Sequence, residues 1–198
     1  AALNPRLKAK YGVDTMPETA ENVAADYEIN RADQDAFAYR TQQRCLRAQA
    51  SGFFANELIP VMLPQKKGDA KRFDRDEHPR PDTTLEALGQ LKPIVKPGGT
   101  VTAGNASGIN DGAGAMLLAT EAAAAKYGLT PKARVVASAV AGVPPRIMGM
   151  GPAPATRKVL AKTGLAIDAI DVFEVNEAFA SVVLAWQKEC GPAAERVN

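Results

Sequence analysis

The chain has very little of the chemistry that marks metal, redox or disulfide proteins. Its 198 residues include one histidine, His78, and two cysteines, Cys45 and Cys190, so a histidine-based metal cluster is not expected. The cysteines are far apart with no CxxC or Cys/His spacing, which indicates neither a disulfide framework nor a zinc site. No apolar run approaches the roughly 20 residues that cross a bilayer, and the opening AALNPRLKAKYG has no signal-peptide layout. The expected compartment is therefore the cytoplasm, with no membrane partner. Charge is nearly balanced at a formal net +2, which argues against a nucleic-acid partner. There is no GxGxxG and no GK[ST], so neither a dinucleotide fingerprint nor a phosphate loop is present.

What is there is a hydrophobic content of 46%, enough for a real core in one large or two modest domains. Thr15 precedes Pro17 and Glu18, the pattern of a capped helix start, and that helix is expected to run to about Tyr27. Asn30 then serves as a second N-cap, with Asp33 in the first turn. Ala36, Phe37, Arg40, Arg44, Cys45 and Ala48 are spaced for a long amphipathic helix ending near Gly52. Together they predict a helical hairpin. ELIPVML, residues 57–63, reads as an edge strand because of its proline. QKKGDAKRFDRDEHPRPD is charged and turn-rich: a hairpin, an excursion or a loop. It is either a solvated face or a phosphate-meeting surface built from Lys66, Lys67, Arg72 and Arg80.

Thr83 or Thr84 caps a short helix in TTLEALGQLKP. The following run, GTVTAGNASGINDGAGA, is so rich in small residues that backbone can approach a ligand or another backbone closely around Ser107. Taken alone, it reads first as a tight turn between domains feeding a buried strand, 113–119. Beyond it, 134–143 and 170–175 are strand-like, whereas 154–163 and 177–190 are helix-like. Alternation of this kind implies a layered α/β architecture. Ligands in such sheets gather at the carboxyl ends of strands, where VNEAFA puts Asn176. Its amide suits an oxyanion site, held directly or through water, and also suits an N-cap of the helix that follows.

The segments MPETAENVA, DEHPRPDTTLEAL, GTVTAGNASGINDGAGA, GVPPRIMGMGPAPATRKVL and VNEAFA, in that order and spacing, resemble those of thiolases, and the resemblance covers essentially the whole chain. The wording of YGVDTMPETAENVA and LPQKKGD is most similar to the branch of that family that cleaves 3-oxoadipyl-CoA. The resemblance implies a five-layered αβαβα fold with an inserted loop domain, incomplete in this chain and lacking both termini. It divides the chain into a loop domain at 1–108, the last segment of the N-terminal half at 109–130, and the first part of the C-terminal half at 131–198.

The resemblance also implies CoA-dependent acyl transfer, with coenzyme A as substrate, no tightly bound cofactor, and a homodimer or homotetramer. By the matching motif positions, Arg80 lies against the adenine of coenzyme A and Ser107 beside its pantetheine arm. Met16 and Met148 line that arm near the thioester, Phe179 walls the pocket, and Asn176 holds an oxyanion-hole water. The family's nucleophilic cysteine, and its later histidine and second cysteine, match nothing here, so the chain alone is expected to be inactive. A truncated coenzyme A-binding or oligomerisation module is the alternative.

Overall fold

The computed structural model describes residues 4–198; residues 1–3, with which the expected loop domain opens, lie outside them. The helical elements follow the local sequence signals closely. Helix α1, Pro5–Tyr11, is exposed and capped by Asn4. Helix α2, Met16–Asp26, starts in a full capping box: the Thr15 side chain takes the backbone amide at Glu18, and the Glu18 carboxylate accepts from the Thr15 amide at 2.6 Å. Helix α3, Arg31–Ala50, is capped by Asn30, whose side chain accepts from the Asp33 amide at 2.8 Å. A tight link therefore joins two long helices, as the spacing predicts. Both pack mainly onto later segments of the chain and not chiefly onto each other.

Strands β1, Val61–Leu63, and β2, Lys71–Phe73, form an antiparallel hairpin in the register Val61 to Phe73, Met62 to Arg72 and Leu63 to Lys71. This resolves the charged run as a hairpin and shortens the expected 57–63 strand to its last three residues. Helix α4, Leu85–Gly89, is capped by Thr84, the second of the two threonines considered. Helix α5, Glu121–Lys126, is short and solvent-facing. A 3₁₀ turn, Pro145–Met150, leads into helix α6, Pro152–Thr163, which ends on left-handed Gly164. Helix α7, Ala180–Cys190, likewise ends on left-handed Gly191.

The expected strands fare differently. Residues 113–119 and 134–143 form no ladder and are largely exposed; Met116, Val135 and Val140 are 83%, 76% and 88% accessible. The 170–175 strand is reduced to one parallel bridge, Phe173 to Val197, flanked by a 3.1 Å bond from the Val175 amide to the Asn198 carbonyl. High β-propensity makes a segment suited to a pleated, half-buried surface, but a strand exists only where a neighbour supplies the ladder. Among the described residues those two segments have no such neighbour.

The core lies around α7. Ala180, Val182, Val183, Ala185 and Trp186 are buried on it, together with Val23 of α2, Phe37 of α3, Ala153 of α6 and Met150 of the 3₁₀ turn. Trp186 packs edge-on against Phe173, with ring centroids 5.3 Å apart, and donates from Nε1 to Thr156 Oγ1 at 3.1 Å. Its apolar body and its one donor are thus both satisfied. Among the described residues no helix is long and apolar enough to cross a membrane. Trp186→Ala is expected to cost about 3–5 kcal/mol, the usual range for a truncated core aromatic. Urea unfolding followed by circular dichroism measures this; a loss below about 1 kcal/mol would mean that α7 is not the centre of the core.

Candidate functional site

The glycine-rich run 99–108 is a structured loop held from below by two helices. Glu21 of α2 is buried, and its Oε1 accepts from the Thr100 amide at 2.7 Å and the Val101 amide at 2.8 Å. Its Oε2 takes the Thr100 hydroxyl at 3.1 Å. A Cβ on Gly99 would lie 2.5 Å from that Oε1, so glycine is what lets the loop approach the carboxylate.

At the loop's far end Asn105 is 4% exposed and its side chain is fully employed. Oδ1 accepts from the Thr102 amide at 2.8 Å, while Nδ2 donates to the Thr100 carbonyl at 3.0 Å and to Asp35 Oδ1 at 3.0 Å. The other oxygen of Asp35 pairs with Arg31 Nε at 2.7 Å.

The loop then meets the start of α7. Ser107 donates its amide to the Ala178 carbonyl and Ala180 donates to the Asn105 carbonyl, both at 2.9 Å, around an antiparallel bridge between Ala106 and Phe179. That pairing corrects the expected helix at 177–190 and the N-cap role of Asn176. Because Phe179 is held in an extended conformation by the bridge, the helix begins only at Ala180, and Phe179 is its N-cap residue without side-chain capping.

Of the six residues singled out from sequence, Ser107 and Phe179 are brought together directly by this pairing. Phe179 is buried beside Ala20 of α2, and Ser107 stands exposed above it. Arg80 reaches the same loop through its neighbours. His78 packs so closely on Gly108 that a Cβ there would lie 2.5 Å from the imidazole Cε1, and the Arg80 amide donates to Gln42 Oε1 of α3 at 2.9 Å. The Arg80 side chain is exposed, and among the described residues it makes no ion pair.

Met16 opens α2 and Met148 lies in the 3₁₀ turn packed on that helix; they are 50% and 43% accessible. Asn176 faces elsewhere, into a groove lined by Thr156, Phe173, Glu174, Val175 and Trp186, which none of the other five residues lines.

Glu177, next to Asn176, escaped the sequence reading. It accepts from Thr41 Oγ1 of α3 at 3.0 Å. Burial pushes its carboxyl above the usual range, with the Thr41 hydrogen bond and the positive charges of Arg40 and Arg44 pulling the other way. Glu21 and Asp35 were missed as well. Their signal is a charged residue on the apolar face of an amphipathic helix: Glu21 lies between Ala20 and Val23, and Asp35 three residues before Ala38.

The loop is thus clasped to the start of α7 by main-chain pairing, with Ser107 exposed at the junction. The family likeness is independently clear. The family model described as the N-terminal domain of thiolase matches residues 3–122, and that described as the C-terminal domain of thiolase matches residues 129–198. The chain belongs to the thiolase family.

It is 61% identical, over 99% of its length, to a β-ketoadipyl-CoA thiolase of Pseudomonas aeruginosa, of which it covers 49%. The crystal structure of the Bacillus anthracis acetyl-CoA acetyltransferase superposes with a TM-score of 0.90 at 46% identity, covering 93% of this chain and 46% of that one. Human mitochondrial 3-ketoacyl-CoA thiolase in complex with CoA gives 0.85 at 43% identity, over 92% of this chain and 45% of that one. The chain thus has the fold of the matching part of an α/β thiolase and spans about half the length of the curated relatives it matches.

The Glu177 environment makes a pH prediction. At pH below the ordinary carboxyl range Glu177 is neutral in folded and unfolded chains alike and contributes nothing. Above its raised folded pKa it is charged in both, and the folded state bears the burial cost. This component of stability therefore falls as pH climbs from the ordinary range through the raised value. In Glu177→Gln that component disappears, so the variant should gain stability relative to wild type between about pH 4 and pH 7. Parallel denaturant curves at the two pH values test it, and an identical pH dependence in both proteins would refute it.

Proposed function

We propose that the whole protein is an acyl-CoA:acetyl-CoA C-acyltransferase that cleaves 3-oxoadipyl-CoA with coenzyme A, giving succinyl-CoA and acetyl-CoA. The observation that carries this reading is the 61% identity, along nearly the entire chain, to a β-ketoadipyl-CoA thiolase. The clasp of Ser107 against Phe179 supports a ligand channel at that place. On this reading residues 1–108 are the loop domain, 109–130 close the N-terminal half and 131–198 open the C-terminal half. The protein acts in the cytoplasm as a homodimer or homotetramer.

The chemistry is two acyl transfers through a cysteine thiolate. The thiolate adds to the 3-oxo carbon; the bond between carbons 2 and 3 breaks, and its electron pair leaves as the enolate of acetyl-CoA, which takes a proton. The enzyme then holds a succinyl thioester. The thiolate of a second coenzyme A attacks that carbonyl, forming succinyl-CoA and returning the cysteine. Covalent catalysis divides one difficult carbon–carbon cleavage into two easier steps.

Neither cysteine here is assigned to the nucleophile, because burial pushes the Cys45 and Cys190 thiols up, away from the thiolate form. The reading gives this chain the task of holding coenzyme A: Arg80 stacks its guanidinium on the adenine, while Ser107, Met16, Met148 and Phe179 bound the pantetheine arm. Asn176 presents its amide, through a water, to the oxyanion that develops on the thioester or ketone oxygen.

Chromatographic thiolysis assays on the full-length protein test this. With 3-oxoadipyl-CoA and coenzyme A, the products should be succinyl-CoA and acetyl-CoA in equal amounts. Asn176→Ala should lower kcat by roughly 10²–10³, the loss typical of one oxyanion donor. Arg80→Ala should raise KM for coenzyme A several-fold and spare kcat, as a lost cation–π contact of about 1–2 kcal/mol requires. Turnover of acetoacetyl-CoA without turnover of 3-oxoadipyl-CoA would remove the acyl assignment, and no thiolysis at all would remove the function.

A further inference from the structure

We infer that the Arg31–Asp35 pair on α3 is a positioning device for coenzyme A, fixing from beneath both segments that are proposed to touch it; the inference rests on the reading above. Asp35 is 5% exposed, and a buried carboxylate is costly unless each oxygen is met. One oxygen is met by Arg31 at 2.7 Å and the other by Asn105 at 3.0 Å.

These two contacts lead to different places. Asn105 carries the loop. With both Nδ2 donors and Oδ1 occupied, its amide has one orientation, since a flip would turn Oδ1 onto the Asp35 carboxylate and the Thr100 carbonyl. Its main-chain carbonyl takes the Ala180 amide, one of the first amides of α7 that no helical carbonyl can serve. Two residues on, Ser107 is bonded to Ala178. The height of Ser107 over Phe179 is therefore set by Asn105, and Asn105 is set by Asp35.

Arg31 carries the other segment. Beyond Asp35 its guanidinium donates to the Leu88 carbonyl at 2.6 Å and the Leu91 carbonyl at 3.0 Å, the C-terminal end of α4. The turn that opens α4 runs straight out of Arg80, whose carbonyl takes the Thr83 hydroxyl at 2.9 Å. Leu88 also meets the loop: a Cβ on Gly104 would lie 2.5 Å from Leu88 Cδ2. The adenine-side arginine and the pantetheine-side serine are thus tied to neighbouring atoms of a single ion pair. Their separation must match the span of one bound coenzyme A, and a planar guanidinium forked between a carboxylate and two carbonyls is suited to hold such a spacing.

Asp35→Asn in the full-length protein keeps the shape but cannot offer acceptors to both Arg31 and Asn105. Its Kd and KM for coenzyme A should rise roughly tenfold, consistent with the loss of one buried charge-assisted bond, while kcat at saturating coenzyme A stays within about twofold. Amide exchange of residues 102–108 should quicken while that of α7 beyond its first turn does not change. Asn105→Ser, which cuts the link and leaves the ion pair, should weaken coenzyme A in the same way; it decides the matter if Asp35→Asn does not fold.

Unchanged coenzyme A affinity in a folded variant overturns the inference. So does a joint loss of kcat, acyl-substrate KM and thermal stability of the kind expected for Trp186→Ala, since that is a purely structural defect. If wild type binds no coenzyme A, the proposed function fails. The exchange data then decide the inference alone: selective loosening of 102–108 sustains the mechanical link, and its absence ends it.

Discussion

Helix α7 is the element on which the rest depends, because it is buried by pieces of chain from both sides of the family's division. Val183 and Ala185 are fully buried, and the side chains that cover the helix come from α2 and α3 in the region matched by the N-terminal family model, and from α6 and the 3₁₀ turn in the region matched by the C-terminal one. Ser181 shows the closeness: it is fully buried and donates its hydroxyl to the Ala20 carbonyl of α2 at 3.1 Å. At the same contact a Cβ on Gly149 would meet Val182 at 2.6 Å, so the 3₁₀ turn lies flat on the helix only because position 149 has no side chain.

Around that apolar centre the polar groups follow a consistent scheme. Glu21, Asp35 and Glu177 are carboxylates that leave water to hold a backbone segment or a side chain from another part of the chain. Each taken alone is expensive to bury; Glu21 and Asp35 are compensated by charge-assisted hydrogen bonds to groups that would themselves be orphaned, whereas Glu177, held by the Thr41 hydroxyl, still bears part of its burial cost. Such an arrangement adds little net stability over an apolar substitute of the same shape, but it specifies one arrangement of the loop. Asn105 can be satisfied only when residues 100, 102 and 180 are all in place, so the loop has a single geometry in which its polar groups are content.

Sequence made the helices legible because their signals are local. Thr15, Asn30, Thr84, Gly164 and Gly191 mark their ends by capping chemistry that requires nothing beyond a few neighbours. The charged run around 65–80 was left open between hairpin, excursion and loop because its pairing is decided by the register of β1 on β2. Segments 113–119 and 134–143 carry strand-like composition without strand structure, since a ladder depends on a partner that composition does not name. For the site, motif likeness drew attention to Ser107, Phe179 and Asn176. It missed Glu21, Asp35 and Glu177, whose roles emerge only when α2 and α3 are set against the loop and the start of α7.

The run from Asn176 to Phe179 shows why one motif can matter at every position. Asn176 stands in the groove beneath α6; Glu177 reaches Thr41 on α3; Ala178 offers its carbonyl to Ser107; Phe179 bridges Ala106 and packs on Ala20. Four consecutive residues thus meet four different neighbours, and the Ala178 and Phe179 pairings use main-chain groups that a helix starting at 177 would have drawn into its own hydrogen bonds. The delayed start of α7 is what makes the arrangement possible. Had Asn176 capped the helix, residues 177–179 would have been its first turn and the amide of Ser107 would have lost its acceptor. The extended Phe179 keeps Asn176 two residues from Ala178, the acceptor of the Ser107 amide, so the groove and the loop border one short segment of chain.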